Sequence, residues 1–155
     1  MRLSTKSRYG LRALFDMAYN AGTQPTQVKD ISRRQDISPR YLEQIFQSFK
    51  KAGILKSKKG PQGGYFLARK PDQITVKDIV AAAEGDTLLV SCTAPKPKSG
   101  KGCNLAGQCV TQTVWQEAAE ILGDYYSSIT LQTLCNRADD MGFKRESDEH
   151  LMYYI

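Results

Sequence analysis

Three cysteines, Cys92, Cys103 and Cys109, follow one another as C-x10-C-x5-C through a stretch rich in glycine, proline and lysine. The thiolate, not the thiol, is the nucleophile and the metal ligand, and nearby cations or a helix N-terminus stabilise it. Lys96, Lys98 and Lys101 supply such cations, and Cys109 stands where a long helical pattern begins. Three soft ligands in one loop suit an iron–sulfur cluster or zinc. The spacing lacks the C-x2-C pairs of zinc ribbons, which argues against that kind of site. Left unliganded, the same residues would be three free thiols in an exposed loop. Cys135, between Leu134 and Asn136, reads instead as a small buried core residue. Little else in the chain could do chemistry. The one histidine, His150, lies near the end, and no paired acids, nucleotide loop or Cys/His dyad can be assembled, so an enzyme is not expected.

The 155 residues have room for one core and a small appendage. The net charge of +6 is unevenly spread. Residues 1–72 carry 15 Lys and Arg against 5 Asp and Glu, whereas residues 73–155 carry 7 against 11. A basic half beside an acidic half describes a polyanion-binding head on a separate body. No run approaches the ~20 apolar residues of a membrane span, and no signal-peptide core opens the chain, so a cytoplasmic protein with no membrane partner is expected. In that compartment cysteines serve as thiols or ligands rather than structural disulfides.

The elements that must position these residues follow from local pattern. Ser4 or Thr5 caps a first helix over 4–21, with Leu11, Leu14, Phe15 and Ala18 on one face. A second, short helix spans 26–34 with Val28 and Ile31 inward. Ser38 then caps a third helix with Pro39 at its first position, Leu42, Ile45, Phe46 and Phe49 form its apolar stripe, and Gly53 ends it. Ile54-Leu55 and Tyr65-Phe66-Leu67 are β-prone runs flanking the cationic turn KSKKGPQGG. Thr75 caps a fourth helix with Val76, Ile79 and Val80 inward, closed by Gly85.

Helix, short helix, recognition helix, β-hairpin: the order is that of a winged helix-turn-helix, a mainly α fold with one small hairpin. The partner expected is double-stranded DNA. Arg40, Glu43 and Gln44 occupy the recognition helix's first turns, where arginine suits guanine, glutamate a cytosine amine and glutamine adenine. Tyr41 could either touch DNA or pack. Lys56 is placed for phosphate, and Lys59, Gly60 and Pro61 for a wing tip in the minor groove.

From about 108 to 127 runs the longest helical pattern, carrying Val110, Val114, Trp115, Ala118, Ile121, Leu122 and Tyr125 on more than one face. That surplus implies a partner, most simply the same helix of a second subunit, along the seam Val114, Ala118, Ile121 and Tyr125. Gly123 would permit a close helix crossing. A last helix starts at Thr130 with Leu131 and Leu134. The expected division is a DNA-binding head over 1–84, a cysteine-bearing loop over 85–107, dimerisation and terminal helices over 108–136, and a charged, mobile tail over 137–155 ending in the apolar LMYYI.

Taken together, MRLSTKSRYGLRAL, SPRYLEQIF, GPQGGYFLAR and the loop running into CVTQTVW closely resemble the bacterial winged-helix iron–sulfur transcriptional regulators, the IscR/NsrR-like family, nearest the regulators of iron–sulfur cluster biogenesis. The resemblance covers about residues 1–135. It implies a homodimeric repressor or activator of palindromic operators, held together by the long helix and controlled by a cluster on Cys92, Cys103 and Cys109. A 2Fe–2S cluster is expected ahead of 4Fe–4S. The chain departs from the family in three places. The first cysteine gap is x10 rather than x5. Gln112 stands where IscR-like members have histidine, and Arg8 where NsrR-like members have an acid. Gln112, one turn beyond Cys109, is the candidate fourth ligand, with a water or small thiol as the alternative. Two other readings keep the DNA-binding head: a thiol-redox or zinc switch on the same cysteines, and a regulator that docks to a metabolic enzyme.

Overall fold

The computed structural model describes residues 3–85, 90, 105 and 107–146. Cys92 and Cys103 lie outside the described residues. The elements run α1 (Thr5–Ala21), α2 (Val28–Gln35), α3 (Pro39–Lys51), β1 (Leu55–Lys58), β2 (Gly64–Leu67), a 3-10 turn (Pro71–Gln73), α4 (Val76–Glu84), α5 (Val110–Ser128) and α6 (Leu131–Asp140). This is the winged helix-turn-helix with a long appended helix that the pattern implies.

Capping sets the boundaries. Ser4 accepts from the Ser7 N–H at the start of α1, and Ser38 from the Tyr41 N–H at the start of α3, with Pro39 where no donor is needed. Thr75 and Thr130 each head a reciprocal capping box, with Asp78 and Thr133 at the third helical position. Gly53, at φ +70°, turns the chain from α3 into the hairpin. Leu14, Met17, Ile31, Leu42, Ile45, Phe46, Phe49, Ile54 and Ile79 fill the head's core. At Gly10 a Cβ would stand 2.5 Å from Cζ of Phe49, so α1 and α3 touch with no room for a methyl.

β1 and β2 pair antiparallel in the register Leu55↔Leu67 to Lys58↔Gly64. The expected second helix begins two residues late, because Thr26 is extended and bridges Tyr65: Thr26 N donates to Tyr65 O at 2.8 Å and Tyr65 N to Thr26 O at 2.9 Å. Gly64 (φ +151°) is required there, since a Cβ would lie 2.3 Å from the Thr26 carbonyl oxygen. A second bridge joins Thr75 to Thr130, so the start of α4 grips the α5–α6 junction.

Two expectations change. Gly123 is buried where α5 meets α4: the Nζ of Lys77 would lie 3.6 Å from an added Cβ, so the small residue serves packing within the chain, and the expected partner helix is not what covers it. The boundary at 137 falls inside α6, which continues to Asp140, and the chain to Glu146 is bonded to the head rather than trailing as a charged tail. The Tyr19 hydroxyl donates to Asp139 (2.9 Å) and to the Phe143 carbonyl (2.6 Å), the Glu146 N–H donates to Asn20 (2.9 Å), and the Glu146 carboxylate pairs with Arg33 and Arg34. Residues 147–155, including His150 and the LMYYI end, lie outside the described residues.

Candidate nucleic-acid interface

The recognition helix divides cleanly into two faces. Leu42, Ile45, Phe46 and Phe49 are buried, and Arg40, Glu43, Gln44, Gln47 and Lys50 are exposed on the opposite side. The three candidate base readers therefore share one solvent face at the helix's N-terminal end. Gln47, seven residues beyond Arg40 and two helical turns along, extends that face; helical spacing alone could have found it. Tyr41 packs: its ring meets Tyr9 edge-on at 5.9 Å and 89°.

The hairpin is held against this helix by side chains from three elements. Lys50 Nζ donates to the Ser57 hydroxyl at 2.9 Å, the Phe46 and Tyr65 rings meet at 4.9 Å, and Gln27 Nε2 donates to the Pro61 carbonyl at 3.3 Å. Alternation along β1 places Leu55 and Ser57 on the face toward the core and α3, with Lys56 and Lys58 on the outer face. Lys59, Gly60 and Pro61 form the exposed tip. Gly60 (φ +112°) accepts from the Gly63 N–H at 2.9 Å, and a Cβ at Gly63 would strike the Lys58 carbonyl oxygen at 2.3 Å. Among the described residues no acidic side chain pairs with Lys56, Lys58 or Lys59. The tip offers cations and a closely approachable backbone, which is what phosphate contact needs.

Behind the helix-turn-helix lies a polar network that sequence reading missed. Asp16, 1% exposed, accepts from Arg34 Nε (3.0 Å) and NH2 (2.7 Å) and from Gln35 Nε2 (3.0 Å), and Arg34 also meets Glu146. Arg12 donates to the Gln35 carbonyl. Burial works against the Arg34 charge, but Asp16 and Glu146 outweigh it and raise its pKa further. These bonds hold the end of α2, just before the turn into α3.

Cys109 is the N-cap of α5. Its Sγ lies 3.1 Å from the Thr111 hydroxyl, and that contact together with the Gln112 and Thr111 N–H groups lowers its pKa against a smaller opposing effect of burial. A half-exposed thiol with a lowered pKa fits a soft metal or a redox reaction equally. Gln112 is half-buried in the first turn of α5, one turn from Cys109. No cluster of three ligating side chains occurs among the described residues, which hold only one of the three loop cysteines. Cys135 is buried, and desolvation raises its pKa, as a core thiol requires. α5 buries Gly123 alone, leaving Val110, Val114, Trp115, Ile121 and Tyr125 exposed, with Ile121 at 71%.

Comparison with known proteins decides the family. The family model described as "Rrf2: Iron-dependent Transcriptional regulator" matches residues 3–137. The chain belongs to the Rrf2 family. It is 40% identical over 138 residues to protein rrf2 of Nitratidesulfovibrio vulgaris, covering 89% of each chain. It is 34% identical over 151 residues to the HTH-type transcriptional regulator IscR of Klebsiella pneumoniae, covering 97% of this chain and 89% of the relative. Among solved structures it matches IscR of T. potens at TM-score 0.71 and 32% identity, over 96% of both chains. It also matches CymR, the global cysteine regulator of B. subtilis, at TM-score 0.69 and 30% identity, over 88% of this chain and 98% of that one. This Rrf2 chain is thus a transcriptional regulator and not an enzyme, and no helix of its described residues is long and apolar enough to cross a membrane.

Proposed function

We propose that the protein is a two-fold homodimer that binds a palindromic operator through α3 and the wing, and that an iron–sulfur cluster on Cys92, Cys103 and Cys109 controls this binding. The observation that carries the DNA reading is the shared exposed face of Arg40, Glu43, Gln44 and Gln47 beside a wing whose lysines have no acidic partner among the described residues. Arg40, Glu43 and Gln44 read base edges; Lys56, Lys59 and the Gly60-Pro61 backbone position the head on phosphates and in the minor groove. The dimer rests on α5: a helix with five large apolar side chains in solvent and one buried residue needs a second surface, and its own copy supplies a self-complementary one.

The cluster reading rests on the family model's description as iron-dependent and on Cys109, a half-exposed thiol of lowered pKa at the head of α5, a chemistry that suits an iron ligand. The cluster, 2Fe–2S ahead of 4Fe–4S, would supply an exchangeable, oxidisable anchor for the loop. Gln112 stands where a fourth ligand would come from the same helix turn, and an amide binds iron weakly, which makes the site suited to sensing. The longer first cysteine gap is no obstacle, since doubling a loop costs only about 0.6 kcal/mol of closure entropy. A second reading, a thiol switch on the same cysteines, is favoured by the lowered Cys109 pKa and by the likeness to CymR. Anaerobic purification with iron and sulfide analysis separates the two: stoichiometric iron, sulfide and visible absorption support the cluster, and a colourless protein with reactive thiols supports the switch.

A further inference from the structure

One carboxylate oxygen ties the start of the chain to the root of the cysteine-bearing loop. Oε1 of Glu84 accepts from the Ser4 N–H (3.0 Å), the Ser4 hydroxyl (2.6 Å) and the Ser7 hydroxyl. Ser4 is the N-cap of α1, and Ser7, 2% exposed, lies in its first turn. Glu84 is the last residue of α4; Gly85, in the left-handed conformation at φ +86°, ends the helix, and the loop that carries Cys92 and Cys103 follows. A carboxylate at a helix N-terminus also meets the favourable end of the helix dipole. Burial opposes its charge, but the bonds from Ser4 and Ser7 and the nearness of Lys6 prevail, so Glu84 titrates below its ordinary range.

The other end of this connection is the recognition helix. Gly10, one turn beyond Ser7, lies against Phe49 with no room for a methyl group, and its nearest neighbours are Phe49 and Ile45 of α3. Phe49 and Ile45 are fully buried, and close-packed interiors transmit displacement instead of absorbing it. A shift of the α1 first turn is therefore passed to α3. We propose that Glu84 is the positioning residue through which the state of the cysteine-bearing loop is passed to the recognition helix. The proposal rests on the cluster reading above. It requires the loaded and empty loops to favour different placements of the α4 end, which is the condition for any such coupling.

The test compares DNA affinity of cluster-loaded and cluster-stripped full-length protein, in the unmutated chain and in Glu84→Ala, Glu84→Gln and Ser7→Ala. Couplings between sites ordinarily amount to about 5- to 150-fold. Glu84→Ala is expected to bring the ratio of the two affinities to within about twofold of one while leaving the cluster spectrum intact. Glu84→Gln, which keeps the acceptor oxygen, retains part of the ratio, and Ser7→Ala, which removes one bond and no charge, provides a milder variant should Glu84→Ala fail to fold. Hydrogen exchange of the amides of residues 7–10 gives a readout independent of DNA: loading alters it in the unmutated protein and not in Glu84→Ala. A variant that weakens both forms equally and keeps the ratio would show a merely structural role and overturn the proposal. An unmutated protein that binds no cluster, or whose affinity ignores it, would overturn the cluster reading and this proposal together; an unchanged ratio in all three variants would overturn this one alone.

Discussion

Replacing Lys56 by alanine should change how binding depends on salt, by an amount the architecture fixes. Lys56 is on the outer face of the wing, without an acidic partner among the described residues, so its removal subtracts one free positive charge per chain and two per two-fold dimer. Each phosphate neutralised contributes about −0.9 to the slope of log affinity against log salt on duplex DNA. With both wings on DNA, the slope should become less negative by about 1.8, so that between ~50 and ~200 mM salt the variant loses roughly tenfold less affinity than the unmutated protein. The assay is fluorescence anisotropy on a labelled palindromic duplex at several salt concentrations, with circular dichroism to establish equal folding. Arg40→Ala is the control. It should cost ~1–3 kcal/mol and relax preference at one base pair of each half-site while leaving the slope nearly unchanged, because its proposed partner is a base edge. A slope unaltered by Lys56→Ala would remove this residue from the interface. A change of about 0.9 would mean that one wing, not two, bears on DNA, and would refute the symmetric arrangement.

Other expectations are as direct. Asp16→Ala leaves Arg34 with Glu146 alone in a site where its side chain is 14% exposed, and should destabilise by about 3 kcal/mol, read as a loss of roughly 6–12 °C in Tm at fixed protein concentration; a loss under about 1 kcal/mol would deny the network its structural weight. Ile121→Lys should shift the mass in solution toward monomer in analytical ultracentrifugation and weaken palindrome binding; a monomeric unmutated protein at micromolar concentration would end the dimer proposal. Single alanine substitutions at Cys92, Cys103 or Cys109 should abolish the visible cluster spectrum, Cys135→Ala should spare it, and Gln112→Ala should shorten its lifetime in air; a full spectrum from Cys103→Ala would refute the three-cysteine assignment.

What could be read from the sequence was what local chemistry decides. Ser38-Pro39, Gly53, Thr75 and Gly85 announce helix ends because capping and left-handed turns depend on a residue and its immediate neighbours. The exposed face of α3 follows from 3.6-residue spacing, and Gln47 belongs to it although it lies beyond the helix's first turns. The failures were all non-local. Thr26 reads as a helix start until the wing's Tyr65 claims its backbone. Glu146 reads as part of a charged tail, yet its carboxylate meets Arg33, 113 residues away, and Arg34. Gly123 reads as a helix-crossing glycine, but nothing in its own neighbourhood says that the helix it meets is α4 of the same chain. Composition identified the charges without their partners, so it mistook a bonded segment for a tail.

The bridge between Thr26 and Tyr65, with Gln27 on Pro61 and Lys50 on Ser57, fastens wing, second helix and recognition helix into one rigid body. Such a body is a ruler of fixed length: under the proposed docking, the offset between the α3 contact in the major groove and the wing contact in the minor groove cannot adapt to the site. Within a half-site, spacing is then invariant, and a sequence with that spacing altered by one base pair would be read as two unrelated fragments. In the proposed two-fold dimer, any tolerance between operators would come from how far apart the two rulers are set, which would concentrate the choice among sites in α5, the helix proposed to join them.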